Sequence, residues 1–284
     1  MSAPNSFLHE LTGSLSEGAA GNPTVAMIEA AFAHHNLPWR YINMEVSPAN
    51  LAEAVRGARA MGFRGFNCSI PHKIAVIEHL DGLGQSAEIM GAVNCVVRRN
   101  GQFIGENTDG KGFLRSLKTV LPPSGKRLVI LGAGGAARAI AVELALAGAA
   151  HLSIVNRDLT RGSELAELIR SRTSAQATFT EWSGSYRVPE NADAVINATS
   201  AGLYEPEVMP DIDPASLRKG IVAADVVFSP VQTRFLREAA ARGCIPLDGL
   251  GMLVNQGITG IQYWTGIDPD PGVMRNALES AMGL

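Results

Sequence analysis

Apolar and polar positions along the chain follow two rhythms: short runs of period two or of near-continuous apolar character, and longer stretches of helical period. Their alternation over nearly the whole length predicts an α/β protein with mostly parallel sheets, without repeats or low-complexity segments. Leu51, Val55, Ala58 and Met61 recur at helical spacing behind Ser47 and Pro48, which suit an N-cap and a first helical residue, and Gly62 is placed to end that helix. The run Phe66 to Ile70 then reads as a buried strand. Val93, Cys95 and Val97 alternate with other positions, and Asn100-Gly101 is a strong hairpin signal before a return strand, Phe103 to Glu106. With a two-residue turn, Asn94 falls opposite Asn107, and Asp109 comes to the same end of the hairpin.

From Arg127 onward the rhythm changes to short strands separated by longer helices: Leu128 to Leu131, Leu152 to Val155, Ala194 to Asn197 and Ala223 to Phe228. This is the rhythm of a dinucleotide-binding α/β domain. After Leu247-Asp248-Gly249 two helices follow, the last opened by Asp270-Pro271 with Met274, Ala277, Leu278 and Ala281 on one face. They have no sheet of their own to cover, so they are expected to return to the first domain. The expected organisation is an α/β substrate domain over 1–108 plus 249–284, and a Rossmann-type doubly wound domain over 109–248.

With 284 residues, 46% apolar and 18% charged, the chain can bury two medium cores. A formal net charge of −3 gives no long-range attraction to nucleic acid or anionic lipid, so an anionic ligand must be held by a few placed groups. The expected partner is a small molecule, with neither nucleic acid nor membrane, and the expected state is a monomer or homodimer. Cys68, Cys95 and Cys244 form neither a disulfide framework nor, with the histidines, a metal-spaced set. Met1 to Leu11 lacks a basic segment followed by an apolar one, which gives a cytoplasmic expectation.

Gly132-Ala133-Gly134-Gly135-Ala136-Ala137 follows a predicted strand and opens an Ala-rich helix ending near Gly148. The glycines allow a tight turn and close backbone approach, and the helix N-terminus offers N–H groups to a pyrophosphate. Twenty-four residues after Gly132, Asn156 stands where an acid would grip the adenosine ribose of NAD. Asn156, Arg157 and Arg161 supply instead an amide and two guanidinium groups, which suit the 2′-phosphate of NADP. NAD stays open because Asp158 could hold a ribose hydroxyl or repel the phosphate.

Asn67-Cys68-Ser69-Ile70-Pro71-His72-Lys73 leaves the predicted strand for a helix, so Lys73 lies at a strand end, where ligands bind. A Lys near an Asp can supply and orient the proton that a ketone reduction requires. Here the chain resembles the shikimate dehydrogenase family: Asn-x-Thr-x-Pro-x-Lys appears as Asn67 to Lys73 with Ser69 for Thr, Gly-Ala-Val-Asn as Gly91 to Asn94, and Asn-Thr-Asp-Gly as Asn107 to Gly110. Asn-Ala-Thr-Ser at 197–200, Asp225-Val226-Val227 and Gly251 to Gln256 also match.

The resemblance implies Lys73 and Asp109 as the catalytic pair, Ser69, Asn94 and Gln256 on ring hydroxyls, and Thr199 and Gly249 near the cofactor. It implies reversible NADPH-dependent reduction of 3-dehydroshikimate to shikimate, within aromatic amino acid biosynthesis. Quinate or another hydroxylated cyclic acid, with NAD, is the alternative in the same family. A non-catalytic cofactor sensor is a third reading, opposed by the intact Lys73 and Asp109. Two departures stand out. The family's Ser-x-Ser for the substrate carboxylate is replaced, in ungapped counting, by Asn22 and Thr24, while a literal Ser14-x-Ser16 requires a loop insertion. Phe228 stands where many members have a Tyr. His34 and His35 are expected at a helix end, His72 as loop support, and Trp264 between the closing helices.

Overall fold

The computed structural model describes residues 7–284. The first stretch runs β1 (Glu10–Ser16), α1 (Thr24–His34), β2 (Trp39–Glu45), α2 (Leu51–Ala60), β3 (Gly65–Cys68), α3 (His72–Ala75), β4 (Gly82–Leu83), α4 (Gln85–Met90), β5 (Cys95–Arg99) and β6 (Gln102–Glu106). Next come α5 (Thr108–Leu117), β7 (Arg127–Leu131), α6 (Gly135–Leu146), β8 (His151–Asn156), α7 (Leu159–Arg172), β9 (Gln176–Glu181), β10 (Ala194–Asn197), β11 (Val222–Asp225), α8 (Arg234–Ala241) and β12 (Ile245–Leu247). The closing helices are α9 (Gly249–Thr265) and α10 (Pro271–Met282). The chain forms two compact units, one ending at Thr108 and resuming at Gly257, the other Asp109–Gln256.

In the first unit the strand order is β2-β1-β3-β5-β6-β4. β1 runs parallel to β2 and β3, whereas β5 is antiparallel to both β3 and β6. Its core gathers Leu15, Val55, Phe63, Phe66 and Phe103. The hairpin has the expected register, with Cys95 opposite Glu106 and Arg99 opposite Gln102. Asn100 (φ 51°) and Gly101 (φ 83°) both adopt the left-handed turn conformation that this tight connection needs. α2 starts later than expected, because residues 48–50 form a 3₁₀ turn and Ser47 makes no side-chain cap. β3 is also shorter than the expected strand: it stops at Cys68, after which Ser69 N–H donates to Leu15 O and the chain turns into α3.

The second unit is an all-parallel sheet of order β12-β11-β10-β7-β8-β9. This is the doubly wound order, with its reversal between β7 and β10. β11 ends at Asp225 rather than Phe228, since Asp225 turns its carboxylate to the next amides and ends the ladder.

The second crossing back to the first unit lies at Gly257, not Gly249. α9 is continuous, and its first turns pack on α5. Asn255 Nδ2 donates to Ser116 Oγ at 3.0 Å, and a Cβ at Gly112 would lie 2.6 Å from Gln256 N. At Gly257 a Cβ would lie 2.5 Å from Met27 Cε, so α9 passes close to α1 here and a larger residue would require the Met27 side chain to shift. Met274 and Leu278 of α10 are fully buried, whereas Ala281 is exposed. Trp264 corrects another expectation. Its indole N–H donates to Val96 O at 3.0 Å and its ring lies 5.9 Å from Tyr41, so it packs on the sheet rather than between helices.

Candidate functional site

The strands of the first unit carry a row of polar side chains at one end. Register places Ser14 of β1 opposite Asn43 of β2 and Asn67 of β3. Paired residues of parallel strands project to the same face, so the three share one side of the sheet. Ser14 Oγ donates to Asn43 Oδ1 at 3.0 Å and accepts from Asn22 Nδ2 at 3.2 Å, and Asn43 Nδ2 donates to Asn22 O at 2.9 Å. Asn22 Oδ1 in turn accepts from Thr24 N–H at 3.0 Å, fixing the start of α1. Asn22 and Ser14, the first members of the two candidate pairs Asn22/Thr24 and Ser14/Ser16, are therefore hydrogen-bonded neighbours. Ser16 is buried in β1.

The row continues across the sheet. Tyr41 Oη donates to Asn67 Oδ1 at 2.8 Å, and burial pushes the phenol far above its ordinary pKa, keeping it protonated. Asn67 Nδ2 donates to Asn94 O at 3.0 Å. Asn94 holds Thr108: its Oδ1 accepts Thr108 N–H at 2.6 Å and its Nδ2 donates to Thr108 Oγ1 at 3.0 Å. Burial pushes the Cys68 thiol up to about 12, so it stays protonated and is no nucleophile.

Lys73 lies on the short helix α3, partly exposed. Its carbonyl accepts Val93 N–H at 2.7 Å, and the neighbouring His72, 1% exposed, hydrogen-bonds Val46 O through Nε2 at 2.7 Å. His72 is thus a buried brace of the Lys73 turn. Ser69 accepts His72 N–H through its carbonyl at 2.8 Å. Of the residues the resemblance assigns to substrate, Asn22, Thr24, Ser69, Lys73 and Asn94 lie in the first unit. Asp109, which directly follows the anchored Thr108, and Gln256 lie in the second.

In the second unit the sheet reversal opens a site at the C-terminal ends of β7 and β10. Gly132 has φ 109°, and a Cβ there would lie 3.0 Å from Ala198 O, so both backbone and space require glycine. Gly134 and Gly135 are exposed, and a Cβ on either meets nothing within 4 Å. The glycines thus leave a cradle open at the N-terminus of α6. The adjoining cavity, about 280 Å³, is lined by Gly134, Gly135, Ala136, Thr199, Val227 and Phe228 among others. Ala133 lies in the same turn, partly exposed.

Two loops meet at this cavity through one buried carboxylate. Asp225 Oδ1 accepts from Asn197 Nδ2 at 2.9 Å and Val227 N–H at 3.0 Å, while Oδ2 accepts from Thr233 Oγ1 at 2.7 Å. Asn197 Oδ1 then accepts Thr199 Oγ1 at 2.6 Å. Burial pushes the Asp225 carboxyl up to about 6. A Cβ at Gly249 would sit 2.5 Å from Val227 O, so the start of α9 closes tightly on the same loop.

A further cavity, about 330 Å³, lies beyond the end of β8 and is lined by Asn156, Arg157, Trp182, Thr199 and Tyr204 among others. Asp158 caps α7 by accepting Arg161 N–H at 3.0 Å, and its other oxygen lies 3.6 Å from Arg161 Nε. Arg161 is thereby engaged with Asp158, whereas the Arg157 guanidinium lies 5.6 Å from the Trp182 ring centroid. Among the described residues no group of three or more His, Cys, Asp or Glu is arranged for a metal ion, and no helix is long and apolar enough to cross a membrane.

The sequence pattern left Tyr41, Asn43, Thr108, Trp182 and the bonds of Asp225 unassigned. Asn43 alternates with Tyr41 in β2, but a polar residue two places from an aromatic one reads as an ordinary strand face until the register with Ser14 is known.

Comparison with known proteins agrees with this division of labour. Residues 22–96 match the shikimate dehydrogenase substrate binding domain, 117–209 the shikimate/quinate 5-dehydrogenase model, and 249–279 the shikimate 5′-dehydrogenase C-terminal domain. The NADP(+) shikimate dehydrogenase of Desulforamulus reducens is 41% identical over 260 residues, 89% of each chain. The ligand-free crystal structure of 5-ketofructose reductase of Gluconobacter sp. strain CHM43 is 56% identical, with TM-score 0.95, covering 97% of this chain and 99% of that one. Shikimate 5-dehydrogenase of Thermus thermophilus, in complex with NADP(H) and shikimate, is 34% identical with TM-score 0.82, covering 96% and 99%. With Rossmann sheet, glycine cradle and matched domains in place, the chain belongs to the shikimate dehydrogenase family of NAD(P)-dependent oxidoreductases acting on a CH–OH group.

Proposed function

We propose that this protein is an NADP-dependent dehydrogenase that reversibly reduces 3-dehydroshikimate to shikimate. One observation carries the reading: Lys73 and Thr108 are both tied to the adjacent residues Val93 and Asn94, so the ammonium-bearing residue and the residue preceding Asp109 share one anchor. The cradle of Gly132, Gly134 and Gly135 before α6 suits a pyrophosphate, and Asn156 and Arg157 suit the 2′-phosphate end. The nicotinamide, when bound, supplies or accepts the hydride. Lys73 gives a proton to the carbonyl oxygen as negative charge develops there, and recovers it in the reverse direction. Asp109 orients the ammonium. Asn94, Ser69 and Gln256 hold ring hydroxyls, while Asn22 and Thr24 occupy the end where the family's serines hold a carboxylate.

A second reading, an uncharged keto sugar as substrate, is favoured by that same end. Asn22 is an uncharged amide whose oxygen accepts Thr24 N–H and whose Nδ2 gives one hydrogen to Ser14 Oγ, leaving its second N–H for a hydroxyl or carbonyl oxygen. The similarity to the Gluconobacter 5-ketofructose reductase, at 56% identity, points the same way. Steady-state kinetics with 3-dehydroshikimate and 5-ketofructose, each with NADPH and NADH, separates the two. The first reading expects the highest kcat/KM for 3-dehydroshikimate with NADPH; turnover confined to 5-ketofructose selects the second. In either case Lys73→Ala is expected to lower kcat by roughly two orders of magnitude or more with folding intact, and near-normal turnover removes Lys73 from the mechanism.

A further inference from the structure

The cofactor's adenosine end is the place where a short polar segment must tell NADP from NAD, and here the discriminating cation has an aromatic support. β8 and β9 pair in parallel up to Asn156 opposite Glu181. The next residue, Trp182, extends the ladder by donating its backbone N–H to Asn156 O at 2.9 Å. Its indole N–H donates to Asp211 O at 2.9 Å, and the side chain is only 8% exposed. The backbone bond thus fixes where the residue sits, and the indole bond together with burial fixes the ring plane. The Arg157 guanidinium lies 5.6 Å from the centroid of that ring, within the range of a cation–π contact.

Of the charged residues lining this cavity, Arg157 is the cation and Glu205 the acid. Asp158, the nearest acid in sequence, is spent as the N-cap of α7 and faces Arg161. Among the described residues Arg157 pairs with no carboxylate, and it lines the same 330 Å³ cavity as Asn156 and Trp182. A long arginine side chain on an exposed loop samples many rotamers, and holding it in one pose before the ligand arrives reduces the entropy lost on binding. A flat aromatic face does this without competing for the guanidinium N–H donors, which a carboxylate partner would occupy.

From these contacts we propose that Trp182 is a positioning residue for cofactor choice: it holds Arg157 toward the 2′-phosphate and so sets the preference for NADP over NAD. The proposal rests on the NADP reading given above. It gives the buried tryptophan a role that core packing alone does not require, since packing would act equally on both cofactors.

Calorimetric titration of the full-length protein with NADP⁺ and NAD⁺ tests it, using wild type, Trp182→Phe, Trp182→Leu, Arg157→Ala and the Arg157→Ala/Trp182→Leu double variant. Trp182→Leu is expected to lower the NADP⁺:NAD⁺ affinity ratio by roughly three- to tenfold, the factor that matches a cation–π contact of ordinary strength. Trp182→Phe, which keeps an aromatic face, is expected to retain most of the ratio. In the Arg157→Ala background, Trp182→Leu is expected to leave the ratio where Arg157→Ala alone puts it. An unchanged ratio in both Trp182 variants, or an equal fall with and without Arg157, overturns the proposal while leaving the NADP reading standing. A wild-type protein that binds NAD⁺ more tightly than NADP⁺ removes the cofactor reading and the proposal together.

Discussion

Asn94 and Thr108 are joined through both ends of one amide: Asn94 Oδ1 accepts Thr108 N–H at 2.6 Å, and Asn94 Nδ2 donates to Thr108 Oγ1 at 3.0 Å. Both residues are buried, with Asn94 4% exposed and Thr108 fully covered. The contact fixes where the hairpin ends and α5 begins, one residue before Asp109.

Thr108→Val keeps the shape of that side chain and removes the oxygen that Asn94 Nδ2 uses. The expected cost is about 1–3 kcal/mol of stability, the usual penalty for removing a buried hydrogen-bond acceptor. Guanidinium titration of Thr108→Val against Thr108→Ser checks it. The serine variant should recover most of the loss, and equal behaviour of the two would assign the effect to the methyl group instead.

The carboxyl of Asp225 has its pKa pushed up to about 6 from an ordinary value of 3.8. Because the folded value is the higher one, its protonated form favours folding. That contribution is fully present below about pH 4 and is lost as pH rises through 6. At about 1.4 kcal/mol per unit, the change amounts to about 3 kcal/mol across the window. Asp225→Asn keeps an oxygen for Asn197 and Val227 and an amide that can donate to Thr233, but it does not titrate. Thermal unfolding of both proteins from pH 4 to 7 should show wild type losing stability relative to the variant as pH increases. Parallel curves would mean that the buried carboxyl titrates near its ordinary value.

Gly134 has open space where a Cβ would be and an ordinary backbone conformation, φ −82°. Gly134→Ala is therefore expected to change stability by no more than about 1 kcal/mol, the scale of an N-cap replacement. The same methyl group would intrude on the cradle in front of α6. NADP⁺ affinity is expected to fall by roughly tenfold or more, since a ligand's phosphate needs close backbone approach there. Calorimetry beside a melting curve reads both quantities, and unaltered affinity would move the pyrophosphate elsewhere.

What the chain pattern made legible depended on how strongly each element announces itself. The hairpin register followed from Asn100-Gly101, and the second unit's strands from apolar runs between helices, because these signals are local. β1 was not legible. Its buried positions include Thr12, Ser14 and Ser16, so a strand covered by its neighbours reads as a polar loop. The same cause hid the row of Ser14, Asn43 and Asn67, which exists only through pairing between β1, β2 and β3. The fate of Asp158 was likewise invisible, because an acid after a strand suits a ribose and a helix N-cap equally well, and only the geometry shows the cap. The late crossing at Gly257 escaped because α9 is one uninterrupted helix, and no breaker marks the point where its surroundings change.

The Asn100–Gly101 turn also limits how this gene can change. Inserting or deleting a single codon there would slide one arm of the hairpin past the other by one position, turning each of its side chains to the opposite face. Asn94 would then lose its place beside Thr108, although the lesion lies at a solvent-exposed tip. Length variation, which surface loops commonly tolerate, should thus be purged at this bend, while exchanges of Asn, Asp and Gly within it survive.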